Sequence, residues 1–156
     1  MASALRSLTL AGLLLAQASA ASGEVFLTTI TPEQVVPPTP STASGQGTFT
    51  LDAGNMLSFE ITIAGLHGGE TEASIHGPAP AGTNASPLLS LPLGNTKTGS
   101  LGPLTPAQVA NLQAGLWYVL IHTTHHGSGE IRGQIRSPLA VEPGTWGRMK
   151  ELYRGR

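Results

Sequence analysis

The chain has 156 residues, of which 11% are charged, and its formal net charge is −1 with no cysteine. This length suffices for one domain with a hydrophobic core, and the near-neutral balance excludes the broad basic surface of a nucleic-acid-binding protein. The lack of cysteine excludes disulfides, thiolate metal sites and cysteine nucleophiles.

The N-terminus has the three parts of a secretory signal. Arg6 precedes an apolar run over residues 8–16, and the Ala-Ser-Ala at positions 18–20 matches a signal-peptidase site. This pattern predicts a signal peptide over residues 1–20, cleaved after Ala20, and hence a secreted or periplasmic protein. An uncleaved anchor is the alternative, although the run is shorter than the roughly 20 apolar residues that cross a bilayer. No other stretch is long and apolar enough, so we expect no transmembrane segment after cleavage.

Residues 21–137 are predicted to form one β-rich domain, which begins with a series of strands. Residues 24–30 are rich in β-branched and aromatic side chains, whereas the prolines within residues 35–40 confine that stretch to an edge or a loop. Residues 47–52 and 56–64 alternate apolar and polar side chains on either side of an Ala-Gly-Asn turn, which predicts a hairpin.

The middle of the domain is expected to contain a strand, a long loop and a helix. Residues 71–76 are a short strand candidate, and residues 77–87 read as a loop with nothing to bury. A helix is predicted over residues 105–112, because Thr105 can cap its N-terminus and Pro106 suits the first helical position.

Two further strands complete the pattern. Residues 116–123 are strongly β, and residues 130–136 alternate, with Glu130 and Arg132 on one face where they can form an ion pair. About six to eight short strands separated by glycine and proline turns predict an all-β, antiparallel β-sandwich or small Greek-key barrel with one short helix. A parallel α/β fold is disfavoured because its crossovers need many helices.

Residues 138–156 form a basic C-terminal tail. Its large apolar side chains fall at helical spacing among four cations: Trp146, Met149, Leu152 and Tyr153. The tail is therefore either a basic amphipathic segment that touches a membrane surface or a partner, or a frayed terminus or short helix docked on the domain.

Histidine is the main chemical feature of the chain. His76 and His122 end predicted strands, and His125 and His126 lie in the loop that follows, so the four meet if those strands are neighbours. Neutral imidazoles are common ligands of copper and zinc, which predicts a metal site formed by these four residues. The alternative is that His76 and His122 only hydrogen-bond adjacent loops. His67, alone in a turn, is interpreted as solvated.

Other constellations are weak. The sequence contains no GxSxG elbow, HExxH motif, P-loop or GxGxxG motif, and its serines are predicted to lie in turns without a histidine and a carboxylate around them. Glu70 and Glu72 would point the same way from one strand, which is more typical of a solvated edge than of a catalytic dyad. We therefore predict no catalytic residue, and no cofactor other than copper or zinc.

Four short segments follow the pattern of a known family. Residues 115–123 read GLWYVLIHT and residues 129–135 read GEIRGQI, while upstream residues 73–79 read ASIHGPA and residues 34–38 read QVVPP. Together these segments resemble the CHRD domain, the module named after chordin, from about residue 25 to residue 135.

The resemblance implies a secreted, immunoglobulin-like β-sandwich and says much less about activity. The first histidine of the family's HIH pattern is Ser74 here, so only His76 carries over, although His125 and His126 could supply replacement ligands. Two hypotheses follow. The first is an extracytoplasmic, non-enzymatic binding or structural module whose partner is an unidentified protein or extracellular ligand. The second is a copper or zinc metalloprotein with chemistry reminiscent of superoxide dismutase.

Overall fold

The computed structural model describes residues 23–138. The predicted signal peptide with its cleavage site, and the helical pattern of the tail, lie outside the described residues. Within them the chain forms, in order, β1 (Glu24–Ile30), a 3-10 helix (Pro32–Gln34), β2 (Ser44–Leu51), β3 (Leu57–Ala64), β4 (Glu70–His76), β5 (Pro87–Ser90), β6 (Thr96–Leu101), α1 (Pro106–Gln113), β7 (Tyr118–Thr123) and β8 (Ile131–Gln134).

The first sheet has the strand order β1-β2-β3-β6, and all its neighbouring strands are antiparallel. β3 alternates strictly, because Leu57, Phe59, Ile61 and Ile63 are buried and the residues between them are exposed. Since successive strand residues point to opposite faces, one face of this sheet lies on the core and the other on solvent. The predicted hairpin of β2 and β3 is confirmed, with Phe49 opposite Phe59.

The second sheet has the order β5-β4-β7-β8 and is also antiparallel. The chain crosses between the sheets after β3, after β5 and, through α1, after β6. The arrangement confirms the predicted all-β antiparallel sandwich. The inner face of the second sheet adds five residues to the core shared by both sheets, namely Ala73, Ile75, Val119, Ile121 and Ile131.

Neither β5 nor β6 is predicted from the sequence. β5 is a four-residue edge strand without a buried residue, and the one buried position of β6 is Lys97. Strand prediction relies on alternating apolar side chains, and these two strands have no such alternation. Their pairing with β4 and β3 is therefore set by the rest of the fold.

Lys97 and Glu70 connect the two sheets. Lys97 is fully buried on β6 opposite Ile61, and its Nζ donates to Glu70 Oε1 at 2.5 Å and to two backbone carbonyls of the preceding loop. The prediction that Glu70 and Glu72 point the same way is wrong. The register of β4 against β7 shifts between them, and Glu72 Oε1 instead lies 3.2 Å from the hydroxyl oxygen of Ser74.

β1 and β8 close one edge of the sandwich. Backbone hydrogen bonds of 2.8–3.0 Å join Thr31 to Arg132 and Leu27 to Arg136. Gly133 lies between these two bridges, where an added Cβ would come within 2.7 Å of a backbone oxygen of β1. The close approach of the two strands therefore requires a glycine at this position.

The predicted helix and its cap are confirmed. The Thr105 hydroxyl accepts a hydrogen bond from the Gln108 backbone at 3.3 Å, and Gln108 Oε1 accepts one from the Thr105 backbone at 2.8 Å. These reciprocal bonds form a capping box, which satisfies two N–H groups at the helix start. Among residues 23–138, no helix combines the length and apolar character needed to cross a membrane.

Residues 77–87, predicted to bury nothing, fold over the outer face of the second sheet, and we call them the covering loop. Ala79 is 4% exposed and packs with Tyr118 and Leu120 in a small second core, against which Ala85 also packs. The prediction was wrong because the loop is anchored by small methyl groups and backbone hydrogen bonds, which leave no apolar pattern in the sequence.

Candidate functional site

Polar side chains gather on the outer face of the second sheet, beneath the covering loop. The inner positions of β4, β7 and β8 belong to the core, so the alternate positions face outward. The register places Tyr118 of β7 between His76 of β4 and Gln134 of β8. All members of this set except His122 are less than a tenth exposed. The set, which we call the outer polar face, comprises Ser74, His76, Tyr118, His122, Arg132 and Gln134.

His76 uses both of its ring nitrogens. Nδ1 lies 2.9 Å from the Ala85 carbonyl oxygen and Nε2 lies 2.9 Å from Ser74 Oγ. A carbonyl oxygen only accepts, so Nδ1 carries the proton and Nε2 accepts from the Ser74 hydroxyl. The ring also stacks on Tyr118 with centroids 5.2 Å apart. Burial lowers the pKa of His76 more than the bond to Ala85 raises it, which leaves the ring neutral at neutral pH.

The His122 ring also lies beside His76, with centroids 6.3 Å apart. Its Nδ1 lies 3.1 Å from the Gly127 carbonyl oxygen, to which it donates. In the neutral form of this ring, Nε2 then keeps its lone pair. This nitrogen is buried and has no hydrogen-bond partner among residues 23–138.

The other predicted ligands make different contacts. The His125 ring lies 6.4 Å from that of His67, whose pairing the sequence did not indicate. The backbone N–H of His126 donates to Thr123 Oγ1 at 3.2 Å. Over residues 23–138, no group of three or more histidine, aspartate or glutamate side chains is placed to hold a metal ion. The structure thus brings His76 and His122 together, and the four-histidine metal site stays a prediction.

One serine does lie beside a histidine and a carboxylate, so the prediction that none does is wrong. Ser74 Oγ is 2.9 Å from His76 Nε2 and 3.2 Å from Glu72 Oε1. The period of two along β4 puts these three residues on one face. Ser74 is only 1% exposed, so its hydroxyl is not accessible to a substrate in this conformation. The one hydroxyl proton of Ser74 is donated to His76 Nε2, which lies nearer than Glu72 Oε1.

Glu130 lies one residue before β8 and is fully buried at one end of the sandwich. Its Oε1 accepts from Ser41 Oγ at 2.6 Å and from the His67 backbone N–H at 2.8 Å, and its Oε2 accepts from Thr123 Oγ1 at 2.6 Å. Burial acts to raise the pKa of this carboxyl, but the three hydrogen bonds outweigh it and lower the pKa. Glu130 thereby fastens three segments of the chain together.

Arg132 does not pair with Glu130, so that prediction is wrong. Its guanidinium carbon lies 3.6 Å above the centroid of the Tyr118 ring, and Nη2 donates to Gln134 Oε1 at 3.1 Å and to the Pro80 carbonyl at 3.4 Å. The side chain is 1% exposed, and Nη1 is buried without a hydrogen-bond partner among the described residues. Burial lowers the pKa of Arg132, partly opposed by Tyr118, yet a guanidinium stays charged in proteins.

Comparison with known proteins identifies the family of the chain. Residues 26–135 match the family model described as the CHRD domain. The chain belongs to the CHRD family. It is 31% identical over 119 residues to chordin of Xenopus laevis, and that alignment covers 70% of this chain but only 13% of chordin. No solved structure matches the chain significantly.

The CHRD match extends from β1 to just beyond β8 and includes the whole outer polar face and Glu130. The two C-terminal segments that carry the resemblance, residues 115–123 and 129–135, contain β7 and β8. In this CHRD domain the Ser74 hydroxyl is bonded to Nε2 of His76, at the position where the resemblance leads one to expect a histidine. A hydrogen bond here takes the place of a second imidazole.

Three contributors to the site were missed in the sequence. Tyr118 stacks on His76 and under Arg132, Gln134 donates to the carbonyls of Ala79 and Gly115, and the Ala85 backbone holds both His76 and the Tyr118 hydroxyl. The period-two pattern of β7 and β8 carries a signal for Tyr118 and Gln134, since both share a face with His122 or Arg132. No sequence pattern marks a backbone contact such as that of Ala85.

Proposed function

We propose that this CHRD domain is an exported, non-enzymatic binding or structural module. The observation that carries the proposal is that reactive side chains are engaged in internal bonds. Nδ1 of His76 and the carboxylate of Glu130 hold loops onto the sandwich, and Nε2 of His76 is bonded to the Ser74 hydroxyl within β4. Groups used in this way fix the shape of a surface and are not available to turn over a substrate.

Export is the second part of the proposal. The signal pattern of residues 1–20 supports delivery to the periplasm or the cell exterior, and similarity to chordin supports an extracellular protein or other extracellular ligand as the partner. A cysteine-free sandwich can fold in such a compartment whatever its redox potential.

N-terminal sequencing of protein recovered from the extracytoplasmic fractions of the native host tests export. We expect the mature chain to begin at Ala21. The same protein, immobilised, should retain a component of the extracellular fraction, and excess free protein should compete for it. Protein that stays in the cytosol with residues 1–20 attached contradicts export, and retention that does not saturate contradicts specific binding.

Copper or zinc binding, with chemistry like that of superoxide dismutase, is the second candidate function. It is favoured by the free lone pair of His122 Nε2 and by the 6.3 Å separation of the His122 and His76 rings. A metal held by both rings at Nε2 would have to displace the Ser74 hydroxyl from His76. His125 and His126 would have to approach from the next loop to complete the set.

Calorimetric titration with Cu²⁺ and Zn²⁺ tests this candidate. Binding tighter than about millimolar that is lost in a His76→Ala/His122→Ala variant supports it, and loss in a His125→Ala/His126→Ala variant adds those ligands. Absent binding, or binding unchanged in the first variant, contradicts it. Superoxide dismutation by the copper-loaded protein, abolished in the first variant, is the expected sign of redox chemistry.

A further inference from the structure

A cleft opens between the segment that follows β1 and the covering loop. Its volume is about 350 Å³, and it is bounded by residues 33–36 and Pro38 on one side and by Ala81 and Gly82 on the other. Arg132 and Gln134 of the outer polar face form part of its lining. No heavy atom lies within 4 Å of a Cβ built on Gly82, so this side of the cleft has room for a ligand.

The two buried cations of this domain, Lys97 and Arg132, have very different hydrogen-bond partners. Lys97 has a carboxylate and two carbonyl oxygens around its ammonium group. Arg132 has one ring face and two neutral oxygens, and Nη1 has no acceptor among residues 23–138. A buried charge without a counter-charge is costly, and an unsatisfied buried donor calls for a reason. Its position in the wall of a cleft supplies one.

The surroundings of Arg132 define the chemistry of a matching ligand. A guanidinium pairs best with a planar carboxylate or with phosphate. Val36, Pro38 and Ala81 offer apolar atoms to the rest of the ligand. Glu33, which is exposed at the same cleft, adds a negative charge that repels a doubly charged anion more than a singly charged one.

We propose that this cleft binds an organic monocarboxylate, whose carboxylate takes the place of the Pro80 carbonyl, 3.4 Å from Nη2, on the nearly fully buried Arg132 guanidinium, and whose carbon skeleton lies against the side chains of Val36 and Pro38. The inference deepens the proposed binding function, on which it rests, by naming the surface and the ligand class. The carboxylate can belong to a small acid or to an acidic or C-terminal residue of a peptide, since the recognised group is the same.

Titration with benzoate and with its neutral isostere benzamide, followed by NMR of the ¹⁵N-labelled protein, tests the proposal. Benzoate should shift the Arg132 Nε–H signal and the backbone amides of residues 81–82. Benzamide should bind at least about tenfold more weakly, the factor that one charge-assisted hydrogen bond supplies. Inorganic phosphate should also bind more weakly than benzoate. N-acetyl-leucine and a short peptide with a free C-terminus then distinguish a small acid from a peptide terminus.

Two variants test the cleft without touching the internal contacts of Arg132. Ala81→Phe should fill the cleft and weaken benzoate binding by about tenfold or more. Glu33→Gln should strengthen it by roughly twofold to fivefold at low salt, since a repulsive charge is removed. Glu60→Gln, on the outer face of the first sheet, is the matched control and should leave the affinity unchanged.

Equal binding of benzoate and benzamide, phosphate binding as tight as benzoate, or affinities unaffected by both cleft variants would each overturn the proposal. Thermal unfolding of each variant shows whether it is folded, and Ala81→Phe should unfold like the parent because Ala81 is exposed. Failure here is distinguishable from failure of the proposed function. If the protein is exported and retains a partner but does not bind benzoate, only the cleft proposal is contradicted. If it binds benzoate but is not exported, only the export proposal is contradicted.

Discussion

Glu130 and Arg132 stand two residues apart and are both buried, yet the protein accommodates their charges in different ways. The Glu130 carboxylate receives three hydrogen bonds from separate segments, so the charge is stabilised within the fold. The Arg132 guanidinium rests on an aromatic ring and has one unsatisfied nitrogen. Glu130 lies just before β8 and Arg132 within it, and the two side chains contact different parts of the fold.

Replacing the Glu130 carboxylate should destabilise the domain. In Glu130→Gln the side-chain amide cannot accept all three hydrogen bonds, and we expect the free energy of unfolding to fall by about 1–3 kcal/mol. Urea unfolding followed by tryptophan fluorescence measures the change. Glu60→Gln, an exposed change on the first sheet, should stay within about 0.5 kcal/mol of the parent. A Glu130→Gln variant as stable as this control would show that the hydrogen bonds of the Glu130 carboxylate do not stabilise the domain.

The lowered pKa of Glu130 also predicts acid sensitivity. Its hydrogen-bond network stabilises the fold fully above the usual carboxyl pKa of about 4.3, and this stability is lost as the pH falls through the lower pKa of the folded state. The parent should therefore lose unfolding free energy below about pH 4–5 more steeply than Glu130→Gln does. Unfolding curves from about pH 6 to about pH 3 check this. Parallel pH profiles for the two proteins would contradict it.

At the level of single residues, the sequence predicts one contact between adjacent strands and misses those that come from distant loops. The meeting of His76 and His122 follows from adjacent strands, and it is found. The partners of Glu130 come from residues 41, 67 and 123, which are separated from it by 7 to 89 positions. No local pattern encodes such distant contacts, so Glu130 was assigned to its nearest cation.

At the level of elements, β8 illustrates how one small residue permits a strand to join two sheets. β8 pairs with β7 on one side and is bridged to β1 on the other. Its Gly133 lies so close to β1 that a methyl group would overlap a backbone oxygen at 2.7 Å. The glycine of the GEIRGQ segment is therefore required by packing.

Gly133→Ala should weaken this edge. The added methyl group must push β1 and β8 apart, and we expect a loss of about 1–3 kcal/mol in unfolding free energy. Gly127→Ala is the matched control, because no atom lies within 4 Å of its Cβ position and its φ is not positive. Hydrogen exchange should locate the loss at the amides of Leu27 and Thr31. Equal stability of the two variants would contradict this role of Gly133.

Elements with a strong pattern were predictable and those held by context were not. β3 alternates apolar and polar residues, β1 and β7 are rich in β-branched and aromatic residues, and α1 has a capping residue. These local patterns are sufficient to predict the elements. β5 and β6 have no apolar face, and the covering loop is held by carbonyl and N–H groups that every residue carries. Its role depends on the polar side chains beneath it, which only the assembled sheet brings together.

At the level of the whole molecule, two sheets are joined without any disulfide. The shared core supplies most of the cohesion, and Lys97 on the first sheet is bonded to Glu70 on the second. A buried ion pair adds little net stability by itself, yet breaking it is costly because one charge is left alone. The pair therefore acts against arrangements in which the sheets slide past each other.

A double-mutant cycle measures this coupling. Lys97→Met should lower the unfolding free energy by about 3–5 kcal/mol, since it leaves the Glu70 carboxylate without its cation. The Lys97→Met/Glu70→Gln variant should be more stable than the sum of the two single changes predicts, by about 1–3 kcal/mol. Glu72→Gln, which leaves the pair intact, should be nearly neutral. Strict additivity of the single changes would contradict a coupled pair.

The bridge between β1 and β8 also fixes how this domain can be joined to others. Leu27, near the start of the first strand, is hydrogen-bonded to Arg136, which follows the last strand. The polypeptide therefore enters and leaves the domain at the same corner of the sandwich. Such a unit can be inserted between neighbouring modules without forcing them apart. In chordin, the segment similar to this domain likewise accounts for only 13% of a longer chain.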